Sequence, residues 1–459
     1  MAERKKVQKI KPKKAIQKPK KAVQKPKKAS TRTESIKMTS DNTKPKSTPV
    51  RKKQVNHSSE HIYEREQTVK KNPQTSKVRK KYNGFSVIKG NKAEIEKKKL
   101  ISICITVVVV LSILIFCLTS PTGPVERITN AFELIGGGEF PATLAGTKIN
   151  SVTSVDNKVY ALTNSHLCAY NFSGKNFLQI QHNFSNPVLS VSKERALIYN
   201  RESNKFLISN NSGVLFEQNL EKPIYCADIS NNGSVAFACE SASYSAQVLV
   251  FDKNMKQYYT WYLADGLISD VAISNNGKYL AVAVLMVKNG AYFSKIYCLD
   301  TDEKDPIFVK ELSDETVYSV DSVSSSNFVC TSNKKVSFFK WKTGENVNPN
   351  SFNAPSYFNK GSRFNLAVYG EANHSDIILL NSSGEVKNQF EYNGIIDSIS
   401  VFDDNVYILN GNKITYFDFE TKTQKTINLD SSLKYILGVN NGILGIDNTS
   451  INYISLESN

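Results

Sequence analysis

The chain has 459 residues, room for two or three ordinary domains, and a formal net charge of +17. The charge is divided: residues 1–99 hold 32 Lys and Arg against 8 Asp and Glu, and residues 100–459 hold 27 against 34. This excludes reading the whole chain as a basic protein, since a basic arm is joined to a mildly acidic body.

The arm opens with a seven-residue repeat, KPKKAIQ from Lys11, KPKKAVQ from Lys18 and KPKKAS from Lys25. Pro12, Pro19 and Pro26 recur once per repeat and would each break a helix, which rules out a coiled coil. One apolar residue per repeat buries too little to offset the entropy of ordering. Residues 1–99 are therefore expected to form a disordered, self-repelling cytoplasmic tail. Three readings stand for it: contact with anionic lipid headgroups, binding to nucleic acid or an acidic partner, or no specific partner. Lys97, Lys98 and Lys99 are the expected lipid contacts. The aromatic interleaving of single-strand binders is missing, which sets nucleic acid below lipid. YNGFSVIKG, Tyr82 to Gly90, is the one stretch of the tail with the apolar content of a short docking motif.

Residues 100–119, LISICITVVVVLSILIFCLT, carry no charge. As a helix, twenty residues reach about 30 Å, the thickness of a bilayer core. A single transmembrane helix is expected, in preference to a buried core segment. Lys97 to Lys99 abut it on one side, so the N-terminus is placed in the cytoplasm and residues 120–459 outside the cell membrane. The run begins too far from the start, and lacks the cleavage pattern, for a signal peptide.

Residues 120–138 read as a juxtamembrane helix and a glycine linker. Val125, Ile128, Phe132 and Ile135 fall at helical spacing, Pro124 suits the first turn and Gly136 a helix end. Such a helix is expected either to lie on the bilayer or to cap the domain beyond.

From residue 139 the pattern is all-β: short alternating runs divided by Asn, Gly, Asp and Ser turns. CADISNNGSVAFACE and DVAISNNGKYLAVAV are one strand–turn–strand unit written twice, with SNNG supplying residues that tolerate positive φ. First strands are expected near Ile149, Val188, Ile224, Leu267, Val317, Ser356, Ile395 and Leu433. A period near 40 with four strands per unit is a β-propeller signature, eight blades being favoured and seven the alternative because the unit at Ser356 is faint. The last unit has room for only three strands, so EFPATLAG, Glu139 to Gly146, is expected to supply the fourth and close the ring, removing an open edge.

The repeat resembles WD-type and quinoprotein-like propellers. The basic tail, the single span, the sequence GGGEFP, QHNFSNP from Gln181 and DVAISNNGKYLAVA together resemble an uncharacterised family of single-span propeller proteins of Gram-positive, clostridial-type bacteria. That family brings no assigned activity, so no catalytic residue carries over. Quinoprotein propellers would imply a tryptophan in most blades. Only Trp261 and Trp341 are present, and no cofactor is expected.

Little else points to chemistry. His166, His182 and His374 are scattered without metal-ligand spacing. Cys168, Cys226, Cys239, Cys298 and Cys330 sit in apolar runs and read as buried free thiols; pairing Ile229 with Ser234 sets Cys226 opposite Phe237, away from Cys239. Asp228, Asp270, Asp321 and Asp397 recur in first strands, but aligned on their turns they share no single register, so solvated or turn-capping roles are favoured over a cation ring. MVKNGAYFSK, Met286 to Lys295, and TWYLADG, Thr260 to Gly266, have the composition of interface hot spots. Trp261, Tyr262, Tyr292 and Phe293 are the candidate partner contacts, the alternative being that Trp261, Tyr262 and Phe293 pack between blades. The expected function is a non-catalytic, membrane-anchored extracytoplasmic scaffold or sensor binding an envelope protein or cell-wall polymer. The alternatives are an envelope enzyme with a site on the propeller axis, glycan-acting or redox, and a tethered nucleic-acid or anionic-lipid binder acting through its tail.

Overall fold

Alternating apolar residues force the chain beyond residue 139 into strands, and their burial on both faces forces the sheets to stack. A computed structural model describes residues 92–118, 122–348, 352–361, 363–371 and 373–456, with side chains placed for all of these except 92–98, 116–118, 352 and 353. The tail 1–91, with its repeat and the motif at Tyr82–Gly90, lies outside the described residues, as do the side chains of Lys97 and Lys98; Lys99 is exposed.

The described residues form eight four-stranded antiparallel sheets. Blades 1 to 7 span 149–181, 187–219, 224–263, 267–312, 317–353, 357–392 and 398–428. In blade 8, the strands Tyr435–Val439, Gly442–Ile446 and Ser450–Ser455 are completed by Ala142–Thr143, which pairs Ala142 with Ile451 and Thr143 with Ser450. The N-terminal strand thus closes the ring, as expected. Innermost strands begin within three residues of every expected position. There are eight blades and not seven: blade 6 is faint in sequence because its innermost strand, Tyr357–Asn359, has three residues.

Each pair of neighbouring blades shares one apolar layer. Val159, Cys168 and Tyr170 of blade 1 pack with Leu444 and Ile446 of blade 8, and Phe328, Phe339 and Trp341 of blade 5 pack with Tyr279 and Cys298 of blade 4. The Phe328 and Trp341 rings lie 4.7 Å apart, and the indole Nε1–H donates to the Ser324 carbonyl at 3.2 Å. The buried thiols lie in these layers, free as expected. Burial pushes Cys239 and Cys298 up to about 12, which leaves them unreactive. The expected Cys226 register is corrected: the turn pairs Ile229 with Val235 and not with Ser234, which sets Cys226 opposite Ala238, and a bulge at Tyr225 then sets Ile224 opposite Cys239. Cys226 then faces blade 4 and Cys239 faces blade 2. The same bulge recurs in the innermost strands of blades 1, 4 and 5.

Before the propeller come two helices, α1 (Lys92–Leu118) and α2 (Pro124–Glu133). Among the described residues no helix is long and apolar enough to cross a membrane. The described side chains of α1 run over 99–115, and the expected span 100–119 continues past them. From Leu100 to Ile115 the large apolar side chains of α1 are exposed.

Candidate functional site

The propeller has two faces. One, the helix face, gathers the turns joining first to second and third to outermost strands. The other, the hairpin face, gathers the turns joining second to third strands and the links between blades.

On the helix face α2 is bonded to blades 1 and 2. Arg195, in a blade 2 turn, clasps the Glu126 carboxylate with Nε at 2.7 Å and Nη2 at 2.6 Å, and its Nη1 donates to the Lys253 carbonyl of blade 3 at 2.6 Å. This bidentate pair is buried. Asn130 Nδ2 donates to Glu194 Oε2 at 2.9 Å, while the Asn211 N–H and Nδ2 donate to the Asn130 side-chain and main-chain carbonyls at 3.1 and 3.0 Å. The last carbonyls of α2, unsatisfied within the helix, are taken by blade 1. Lys175 Nζ donates to Glu133 and Ile135, and Asn171 Nδ2 to Leu134 and Gly136. A cation at a helix C-terminus also suits the helix dipole. Gly138 then passes so close to blade 1 that a Cβ there would collide with the main chain of Gly174. Beneath this joint Lys158 is fully buried, its Nζ donating to the Lys193 carbonyl, and burial lowers its pKa.

On the hairpin face, blade 4 stands out. Its second and third strands, Tyr279–Lys288 and Ala291–Asp300, pair along their whole length, but the innermost strand reaches only to Leu285 and the outermost only to Ser294. The pairs Met286–Phe293, Val287–Tyr292 and Lys288–Ala291 therefore project beyond the sheet. Asn289 (φ 54°) and Gly290 (φ 80°) make the two-residue turn that suits strand twist. MVKNGAYFSK thus forms a two-stranded β-ribbon. Val287 and Tyr292 are 62% and 61% exposed. Phe293 is half-buried beneath Lys295, whose Nζ sits 5.8 Å from the ring centre. Tyr262 is half-exposed and stacks on Tyr244 at 4.8 Å, and Leu267 is exposed nearby in sequence. Of the two readings of Trp261, packing between blades is the one the structure follows. It points between blades 3 and 4, only 9% exposed, its ring 5.0 Å from that of Tyr297. Strand alternation explains the difference, since Trp261 and Tyr262 face opposite ways. Tyr244 was missed by sequence reasoning; its only signal is a lone aromatic in the serine-rich SASYSA.

Along the axis, two of the aspartates correct their expected roles. Ser190 Oγ of blade 2 donates to Asp228 Oδ1 at 2.7 Å, and the Ile273 N–H of blade 4 donates to Asp228 Oδ2 at 3.0 Å. The Val320 N–H of blade 5 donates to Asp270 Oδ2 at 2.9 Å. These carboxylates join blades. Serines do the same elsewhere: the Ile436 and Gly438 N–H groups of blade 8 donate to Ser398 and Ser400 of blade 7. Asp397 is turn-capping as expected, accepting from the Gly411 N–H at 2.6 Å. Burial, with Asp321 next, pushes Asp270 up to about 8, and burial raises Asp321 as well. Among the described residues no group of three or more His, Cys, Asp or Glu could hold a metal ion. His182 is buried, bonded to the Thr163 carbonyl, and lowered in pKa by burial, a structural imidazole.

A cavity of about 450 Å³ opens between blades 6 and 7, lined by Tyr357, Glu371, Ile395, Asp397 and Tyr435 among others. A second, of about 320 Å³, lies among the innermost strands of blades 1, 6, 7 and 8 and includes Asp156, Lys360 and Asp403. Tyr357 lines both.

Residues 142–456 match a family of unknown function (DUF5711). No curated protein matches the chain. Among solved structures, BamB from Moraxella catarrhalis is similar at 12% identity, covering 70% of this chain and 98% of its own, with a TM-score of 0.45. Apo AztD from Citrobacter koseri is similar at 13% identity over 64% and 89%, TM-score 0.44. The C-terminal WD40 domain of Sif2 is similar at 10% identity over 70% and 100%, TM-score 0.48.

Proposed function

The chain belongs to the DUF5711 family of unknown function, and from that premise we propose that it is a membrane-anchored, non-catalytic interaction scaffold whose propeller binds an envelope protein through the blade 4 ribbon and its neighbours. The projecting ribbon carries this reading. Val287 and Tyr292 stand in solvent on a stiff support, with Tyr244, Tyr262 and Leu267 as further exposed apolar surface. Aromatic anchors on a rigid element lose little entropy on binding. Among the described residues no strand lies beside the ribbon's outer edge at Ala291, Tyr292 and Phe293, so its main chain can pair with an extended segment of the partner.

The proposed anchorage draws on the uncharged stretch of α1 from Leu100 to Leu118, which reaches about 28 Å. The orientation follows the lysines at its start, tail inside and propeller outside. The basic tail adds contact with anionic headgroups, each Lys or Arg contributing about 1 kcal/mol near the surface.

Purification of the full chain from membranes, beside a Val287→Ser/Tyr292→Ser variant, tests the binding role. The reading requires an envelope protein that co-purifies with the wild type and is lost with the variant. Equal recovery by both, or binding of purified cell-wall polymer in its place, overturns it.

A second reading has one observation in its favour. Glu371 and Asp397 line the same cavity, and paired carboxylates facing a cleft can cleave glycosidic bonds. Release of reducing sugar from wall glycan, abolished by Glu371→Gln, would replace the binding reading with this one.

A further inference from the structure

The joint between α2 and the propeller uses the opposite side of the helix from the one its sequence favours. An amphipathic helix capping a domain normally turns its apolar stripe inward. Here the polar residues Glu126 and Asn130, with the C-terminal carbonyls, face the blades, while Val125, Phe132 and Ile135 are 74%, 67% and 65% exposed. At 100° per residue Glu126 and Asn130 share one side and Val125 and Phe132 the other, with Ile135 following just past the helix end.

We propose that the outward face of α2 is a lipid-binding surface, seated in the boundary between headgroups and acyl chains of the bilayer that holds α1, so that the propeller lies with its helix face against the membrane. The proposal rests on the anchorage of α1. Three observations select lipid as the occupant. First, only the segment 119–123 separates the helices, so the start of α2 lies within about 20 Å of the end of α1 by chain length alone. Second, the buried Glu126–Arg195 pair and the Asn130 bonds fix the rotation of α2, so the apolar face cannot turn in toward the blades without leaving them unpaired. Third, Lys253 approaches Gly123 at the start of α2, and Lys193, paired with Asp156 at 3.7 Å, is exposed on the same propeller face, where basic side chains can meet anionic headgroups. The consequence is directional. The blade 4 ribbon, on the opposite face, points away from the membrane.

The test uses the full chain in vesicles of phosphatidylethanolamine and phosphatidylglycerol, with lipids brominated near the top of the acyl chain or near its methyl end. Trp261 and Trp341 are buried in the propeller, so the wild type is expected to show no quenching. Phe132→Trp is expected to lose at least about twofold in the added emission with the shallow bromines, and less with the deep ones. Adding Val125→Ser and Ile135→Ser should restore it. Flotation of the same vesicles separates the two layers of the argument. Protein that floats while the introduced indole stays unquenched overturns this inference and leaves the anchorage standing, and protein that does not float overturns both. A blue-shifted, unquenched indole, together with a Phe132→Cys variant that cross-links to a second copy, assigns the face to self-association and overturns the inference.

Discussion

On the helix face, the ionised groups nearest α2 are consumed. Glu126 and Arg195 hold each other, and Asn130 and Lys175 each satisfy more than one partner. On the hairpin face the prominent side chains have little to hold: Val287 and Tyr292 project past the ends of the neighbouring strands. A largely buried ionic joint fixes one geometry, since its charged groups are spent on each other. An exposed aromatic ribbon fixes nothing within the chain and is free to make contacts outside it. On the proposed reading, one face is held and the other holds.

The largest effect should come from breaking the joint. Arg195→Ala leaves the Glu126 carboxylate buried without its partner, a change that costs about 3–5 kcal/mol in such settings. The loss is capped by the free energy of docking α2, because the helix can undock instead. Hydrogen exchange should show fast amides over 124–133 with the blades still protected. Full protection of α2 in this variant would contradict the account.

Next in size is the axis. Asp270 is raised from 3.8 to about 8, so the folded state holds a proton that the unfolded chain releases. Stability conferred by the protonated carboxyl is full below about pH 4 and falls as pH rises toward 8. Denaturant unfolding at several pH values should show that decline, and Asp270→Asn should flatten it. An unchanged slope would remove Asp270 as its source.

The ribbon should separate binding from stability. Tyr292→Ser is expected to weaken partner binding at least about tenfold while shifting unfolding by no more than about 0.5 kcal/mol. A large loss of stability would mean that Tyr292 serves the fold. The smallest effect is expected at Lys158, whose ammonium is buried beside Glu194. Lys158→Met replaces a desolvated charge by an apolar chain of similar length and should change stability by about 1 kcal/mol or less, in either direction. Loss of α2 docking in that variant would place Lys158 among the groups that hold the helix.

How much of this was legible in the sequence depends on the range of the interactions. Strand starts and the closing strand at Ala142–Thr143 were readable because alternation and turn residues are local signals. The bulge at Tyr225 was not, because one extra residue alters register without altering composition. Asp228 and Asp270 read as solvated because their donors, Ser190, Ile273 and Val320, come from neighbouring blades. The stripe Val125, Phe132, Ile135 was visible, but which side of α2 would dock was set by Arg195 and Asn211, about 70 to 80 residues away. At the candidate surface, composition found Tyr262, Tyr292 and Phe293. It left Trp261 between two readings, because its inward direction is a matter of strand phase, and it overlooked Tyr244 among its serines.

The most direct measurement places a photoreactive side chain at position 292 or position 132 of the full chain in native membranes. The account predicts protein adducts from 292, lost when Val287→Ser is added, and lipid adducts from 132. Lipid adducts from 292, or protein adducts from 132, would contradict it.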